Sequence, residues 1–149
     1  AVDSLPAVNS LLFGIRGGCL GETCSIVLII GFVYLVVRRV ITPTIPVVYV
    51  ATIAVMSLIL GYDPITMILT GGVLLGGIFM LTDYSTSPAT EWGKVVFALG
   101  AGIITMLIRN SSGGYPEGVA FAILLMNMIC PHLNKIGAKK PFGVGGAEK

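Results

Sequence analysis

The sequence predicts an all-α integral membrane protein with five transmembrane helices, and three observations predict it. Of 149 residues, 55% are hydrophobic and only 11% charged, with a mean hydropathy of +0.96. A soluble domain usually carries roughly 25% charged residues, so a water-soluble fold is excluded. The apolar residues also fall into five runs, each bounded by glycine, proline or a polar loop. Finally, two of the boundaries place a glycine pair and a carboxylate at the head of an apolar run, a pattern that suits a site built between helix ends.

The elements follow in order. Ala1 to Gly14 is a moderately polar lead broken by Pro6, suited to a membrane interface. It opens without methionine or a signal peptide, which fits a processed or truncated product. With the glycine-rich loop to Glu22 it forms an extracytoplasmic segment, 1–22. The five spans are expected at about 23–37, 45–60, 65–81, 94–108 and 118–131, within a membrane domain of 23–131. Arg38-Arg39 closes the first, and Thr42-Pro43-Thr44 leads into the second. Gly61-Tyr62-Asp63-Pro64 is a turn, with Pro64 at a helix start, where its missing N–H costs nothing. Thr82 to Gly93 is a polar loop, Cys130-Pro131 reads as a helix stop, and 132–149 is a basic tail. These spans are shorter than the ~20 apolar residues a bilayer crossing needs. Their ends are therefore expected inside the protein, where non-helical backbone is tolerated against protein or a wet cavity. The glycine-rich loops read as re-entrant.

Basic residues set the orientation. Arg38, Arg39, Lys94, Lys135, Lys139, Lys140 and Lys149 fall on one side of a five-helix arrangement, against Arg16 and Arg109 on the other. The N-terminus is expected outside and the C-terminus in the cytoplasm, in a multi-pass protein of the cytoplasmic (inner) membrane with lipid as its surroundings. A net charge of +2, scattered along the chain, gives no nucleic-acid footprint. Cys19, Cys24 and Cys130 lack the spacing of a zinc or iron–sulfur site. No Ser-His-Asp, metal-ligand or P-loop arrangement is present, so redox or group chemistry would belong to a bound cofactor.

The candidate site residues lie at the helix heads. Gly17, Gly18, Gly21, Glu22 and Thr23 precede the first span, and Gly113, Gly114, Tyr115 and Glu117 precede the fifth. Backbone N–H groups at such starts bind anions, phosphates included. The alternative is a pair of ordinary loops whose carboxylates sit favourably at helix N-termini. Gly71-Gly72 and Gly76-Gly77 have the spacing for close helix packing, or for a flat ligand against bare backbone. Asn127 is an amide inside an apolar run, either functional or bonded to a neighbouring helix. Trp92 and Tyr115 suit interfacial anchors.

Three stretches carry a resemblance. GGCLGETCSIVLIIGFVYLVVRRVITPTIPVVY, ILTGGVLLGGIFMLTDYSTSPAT and above all RNSSGGYPEGVAFAILLMNMICP resemble the C-terminal half of the D subunits of Rnf electron-transport complexes. Those subunits are similar to the B subunit of the sodium-translocating NADH:quinone reductase. The resemblance runs from about Ser4 to Gly143. It implies one half of a ten-helix inverted-repeat protein with a urea-transporter-like fold, so the N-terminal half of the subunit is an expected partner. It also implies an ion-translocating ferredoxin:NAD oxidoreductase complex with further subunits (A, B, C, E and G) that exports Na+ or H+. The cofactor implied is FMN joined through its phosphate to a threonine, with riboflavin as a further candidate.

The family's threonine lies in a Ser-Gly-Ala-Thr motif upstream of the region covered. Ser87-Pro88-Ala89-Thr90 departs from that motif at proline, so the covalent link is not assigned to Thr90. The resemblance implies that the two glycine–glutamate loops form part of a flavin pocket wall. Thr82, Asp83, Thr86, Ser87 and Asn127 join the candidates, the first four at the cytoplasmic end near a second flavin or an ion exit. Asp63, Asp83, Glu22 and Glu117 are the acidic candidates for ion handling. The competing readings are half of a urea-type solute channel without a redox cofactor, and a scaffold protein of the complex.

Overall fold

The computed structural model describes residues 24–70, 72–83, 85–111 and 118–137, with side chains as far as Asn134. Among these residues the secondary structure is entirely helical. Helix α1 is Ser25–Val37, α2 Thr44–Leu60, α3 Pro64–Leu69 and α4 Val73–Leu75, which runs into a π-helix at Gly76–Met80. Helix α5 is Glu91–Asn110 and α6 is Gly118–Gly137. By length and composition α5 can cross a membrane, whereas Ser25–Val37, Thr44–Leu60 and Gly118–Asn134 are shorter apolar helices.

Helices α2, α5 and α6 form the core, with the α3–α4 segment against α2. Tyr49 and Ile53 of α2 meet Phe97, Ala98, Ala101 and Met106 of α5, and α6 adds Val119, Ile123, Met126 and Leu133. Direction follows from the close approaches. Gly118 stands against Ile108, Gly100 against Met126 and Gly93 against the carbonyl of Leu133, so α5 and α6 are antiparallel. Helix α1 packs mainly on α4 and shows Val27, Ile30, Val33 and Val37 outward. That apolar surface is what a lipid-facing or partner-facing helix presents.

Helices α1 and α2 close with the same hydrogen-bond pattern but different residues. After α2, Gly61 donates to Leu58 O and Tyr62 donates to Ser57 O, with Gly61 left-handed at φ 76°. After α1, Arg39 donates to Val36 O and Val40 to Leu35 O, and Arg39 takes the left-handed place at φ 54°. This pair of hydrogen bonds satisfies orphan carbonyls of a helix end and ordinarily uses glycine. For an L-residue that conformation costs about 1–2 kcal/mol. Among the described residues Arg39 is the one non-glycine with positive φ.

The third span departs from the continuous helix expected over 65–81. It stops after Leu69, turns extended at Thr70 (φ −111°, ψ 157°), reverses at left-handed Gly72 (φ 71°) and restarts at Val73. The restarted part then widens to a π-helix, where Gly77 meets the Tyr49 ring. The fifth span also departs from expectation, because α6 runs through Pro131 to Gly137. Proline removes one N–H and strains the turn before it. Burial of Leu133 and the bonds of Asn134 to Ala89 N (3.0 Å) and Cys130 Sγ (3.8 Å) hold the helix beyond it.

Asp63 starts α3. Its carboxylate accepts from Thr66 N at 3.1 Å and from the Thr66 hydroxyl, and these bonds hold its pKa below the ordinary 3.8. A depressed carboxyl stabilises the fold fully above its unfolded pKa and loses that contribution as pH falls through the folded value. Asp63→Ala is therefore expected to melt earlier than the parent protein at neutral pH. The gap should close under acid, as thermal scans across pH 7 to 3 would show.

Candidate functional site

The two ends of the helical assembly carry different chemistry. At one end the Tyr62 hydroxyl donates to Asn110 Oδ1 at 3.1 Å, and Asp63 caps α3. Arg109, in the last turn of α5, reaches the break in the third span. Its two terminal nitrogens donate to Met67 O at 2.8 Å and Thr70 O at 2.7 Å. These carbonyls belong to the end of α3, where helical partners run out and the helix dipole leaves partial negative charge. A guanidinium is suited to the place because its planar fork supplies parallel donors.

The start of α1 comes to the same break. A narrow cleft there is lined by Ser25, Leu28, Leu69, Gly72 and Val73. The start of α6 arrives as well, since Gly118 is buried against Ile108 and the carbonyl of Thr105 near the end of α5. The residues that flank both predicted glycine–glutamate loops thus lie at one end of the protein, around an interrupted helix. Gly17, Gly18, Gly21, Glu22, Thr23, Gly113, Gly114, Tyr115 and Glu117 themselves lie outside the described residues.

At the opposite end Thr82, Asp83, Thr86 and Ser87 share one loop. The Asp83 carbonyl accepts from Ser87 N at 3.0 Å and Thr86 N at 3.4 Å. Its carboxylate faces Ser85 N and the Thr86 hydroxyl. The Thr82 hydroxyl donates to the carbonyl of Ile78. The loop is folded on itself, and both aspartates among the ion-handling candidates, Asp63 and Asp83, are engaged in turns of their own. A cavity of about 350 Å³ opens between this loop and the Arg39 turn. Sequence reasoning placed Arg39 and Lys94 on a common side; that they line one cavity depends on folding.

Asn127 stands apart from both ends, half-buried on α6. Its Oδ1 is buried without a hydrogen-bond partner among the described residues. Four residues on, Pro131 has no N–H to give to the Asn127 carbonyl. Among the described residues no group of histidine, cysteine and carboxylate side chains is spaced to hold a metal, and Cys130 is a buried thiol.

Thr90 has a structural role of its own. Its side-chain oxygen accepts from Gly93 N at 3.2 Å and caps α5. A capping oxygen loses that bond, worth ~1 kcal/mol, when replaced. Pro88 beside it is fully buried and Ala89 N is bound to Asn134.

The family model described as "NQR2, RnfD, RnfE family" matches residues 2–143. The chain belongs to this family. Among its curated relatives, the D subunit of the Na(+)-translocating ferredoxin:NAD(+) oxidoreductase complex of Acetobacterium woodii is 43% identical over 148 residues. That match covers 98% of this chain and 46% of the relative. The D subunit of the proton-translocating ferredoxin:NAD(+) oxidoreductase complex of Clostridium ljungdahlii is 40% identical, covering 91% of this chain and 43% of the relative. The D subunit of an ion-translocating oxidoreductase complex of Halorhodospira halophila is 43% identical over 127 residues, 80% of this chain and 35% of the relative. The chain therefore spans less than half the length of these relatives. Its helical, strongly apolar make-up fits a family of membrane proteins.

Proposed function

We propose that this chain is part of a membrane component of an ion-translocating ferredoxin:NAD oxidoreductase complex, holding flavin as an electron relay coupled to Na+ or H+ export. The observation that carries it is the family match over residues 2–143, together with relatives named as the D subunits of such complexes. The protein works with the N-terminal half of the same subunit and with the other Rnf subunits, and five helices of this half pack in a urea-transporter-like arrangement. Flavin, when bound, accepts and passes electrons between partners, while the protein supplies binding and orientation.

The helix starts flanking the two glycine–glutamate loops supply the pocket. Support comes from their placement at one end, around the broken third span and Arg109. Positively poised N–H groups at those starts suit a flavin phosphate. FMN is carried by a threonine in the N-terminal half of the subunit, because Ser87-Pro88-Ala89-Thr90 departs from the family's motif at proline. The loop of Thr82, Asp83, Thr86 and Ser87 lies at the cytoplasmic end, near riboflavin or an ion exit. Asn127, whose oxygen has no partner among the described residues, offers a polar contact inside the membrane.

The test is flavin fluorescence and coupled ion transport of the purified complex. Glu22→Gln and Glu117→Gln are each expected to lower flavin occupancy or transport, while the complex still assembles. Unchanged values for both would remove the two carboxylates from the site. A complex free of flavin would favour the urea-type channel.

A further inference from the structure

We infer that the cavity between the Arg39 turn and the Ser87 loop is a binding site for a phosphate-type anion. This rests on the cavity itself and not on the flavin assignment, although Thr82 and Ser87 belong to the loop proposed above to lie near riboflavin or an ion exit. At about 350 Å³ it lies in the size range of small-ligand sites. Its wall combines the two cations Arg39 and Lys94 with the hydroxyls of Thr42 and Ser87, over an apolar floor that includes Ile45 and Pro88.

The donors are available. Among the described residues Arg39 has no ion pair, and the one salt bridge runs 2.8 Å from Lys94 Nζ to Glu91 Oε1. It uses one of three ammonium N–H groups. Glu91 is turned to the outside, with its side chain 70% exposed. The carboxylate of Asp83 faces Ser85 N and the Thr86 hydroxyl of its own loop. Thr82 also borders the cavity, but its proton is committed to Ile78 O, so it offers an anion nothing. The excess is one positive charge beside low-dielectric walls, where charge-assisted hydrogen bonds are at their strongest.

The backbone points the same way. Arg39 occupies the left-handed place that Gly61 occupies after α2, so its side chain projects from a turn that glycine would close with less strain. A strained conformation of this kind gains significance at a ligand site. A guanidinium fork matches two oxygens of one phosphate, and Lys94 adds a point charge from the opposite wall. The site also opens where apolar helix α1 ends and α2 begins. A phosphodiester headgroup of an anionic lipid and a free phosphate share this chemistry.

The experiment uses the purified complex with its full-length subunits, stripped of lipid in neutral detergent. Labelled inorganic phosphate is measured by equilibrium dialysis, and phosphatidylglycerol against phosphatidylcholine by native mass spectrometry. One saturable site per complex is expected, weakened by added salt. Arg39→Gly keeps the turn and should melt no earlier than the parent complex, yet lose affinity about tenfold or more, as loss of a charge-assisted contact implies. Glu91→Gln should tighten binding by releasing Lys94. Retention of phosphatidylglycerol without phosphate binding identifies a headgroup site, and saturable phosphate binding identifies a free-anion site; either supports the inference. It is overturned if neither probe binds stoichiometrically, or if Arg39→Gly and Lys94→Gln both bind as tightly as the parent.

Discussion

Replacing Gly77 with valine is expected to destabilise the protein by about 3 kcal/mol or more, the upper end of the overpacking range. A Cβ on Gly77 would stand 2.6 Å from Cδ1 and 3.0 Å from Cε1 of Tyr49. Tyr49 cannot yield easily. It is fully buried, and its hydroxyl lies 3.2 Å from Thr105 Oγ1. Thr105 gives its own proton to Ala101 O at 2.7 Å, so Tyr49 is the donor in that pair. Swinging the ring away would strand a hydroxyl in an apolar core, a further cost of about 1–3 kcal/mol. Thermal unfolding of the full-length protein in detergent reads the effect directly. Combining Gly77→Val with Tyr49→Leu tests the cause, since two substitutions at one contact are non-additive. The double variant should be less impaired than the sum of the singles. A Gly77→Val protein that melts with its parent would mean that the π-helix and α2 do not approach as described.

The helical class was legible because it follows from hydropathy summed over many residues, and the membrane requires helices to satisfy their own backbone. The interruption at Thr70 was not, although ILTGGVLLGG contains the glycines that permit it. Hydropathy is uninterrupted there, and what fixes the break is Arg109, 39 residues further along the chain from Thr70. Pro131 misled in the opposite direction. Its local rule is a helix stop, but Leu133 and Asn134 are anchored to other segments and the helix continues. Long-range partners decided both.

The candidate site shows the same division. Spacing of glycine and carboxylate marked two helix heads, and the flanking residues Ser25 and Gly118 do come to one end of the protein. Asn127 stood out as an amide in an apolar run, and its buried oxygen has no hydrogen-bond partner among the described residues. Arg39 was legible only as a charge that fixes orientation. Its left-handed backbone and its place opposite Lys94 come from the turn after α1 and from the position of the Ser87 loop, neither of which has a local pattern.

Arg109→Gln is expected to be the other severe substitution, and for a different reason. The guanidinium gives two charge-assisted bonds to Met67 O and Thr70 O, each worth about 1.5–3 kcal/mol. Losing both leaves two partly buried carbonyls at a helix end without their donors. A loss of about 3 kcal/mol or more follows. Arg109→Lys should recover only part, because an ammonium lacks the planar fork that spans two carbonyls. The consequence reaches beyond stability. The carbonyl end of a broken membrane helix is where a mobile cation can be coordinated, and in this protein a covalently fixed cation fills that role at Met67 and Thr70. The break is thereby held in one geometry, next to the start of α1 and the end of α5. Amide hydrogen exchange should therefore accelerate across residues 64–75 in Arg109→Gln, and far less in Arg109→Lys, while α5 and α6 stay protected. Uniform acceleration through every helix would instead mark Arg109 as a general stabiliser with no particular hold on the break.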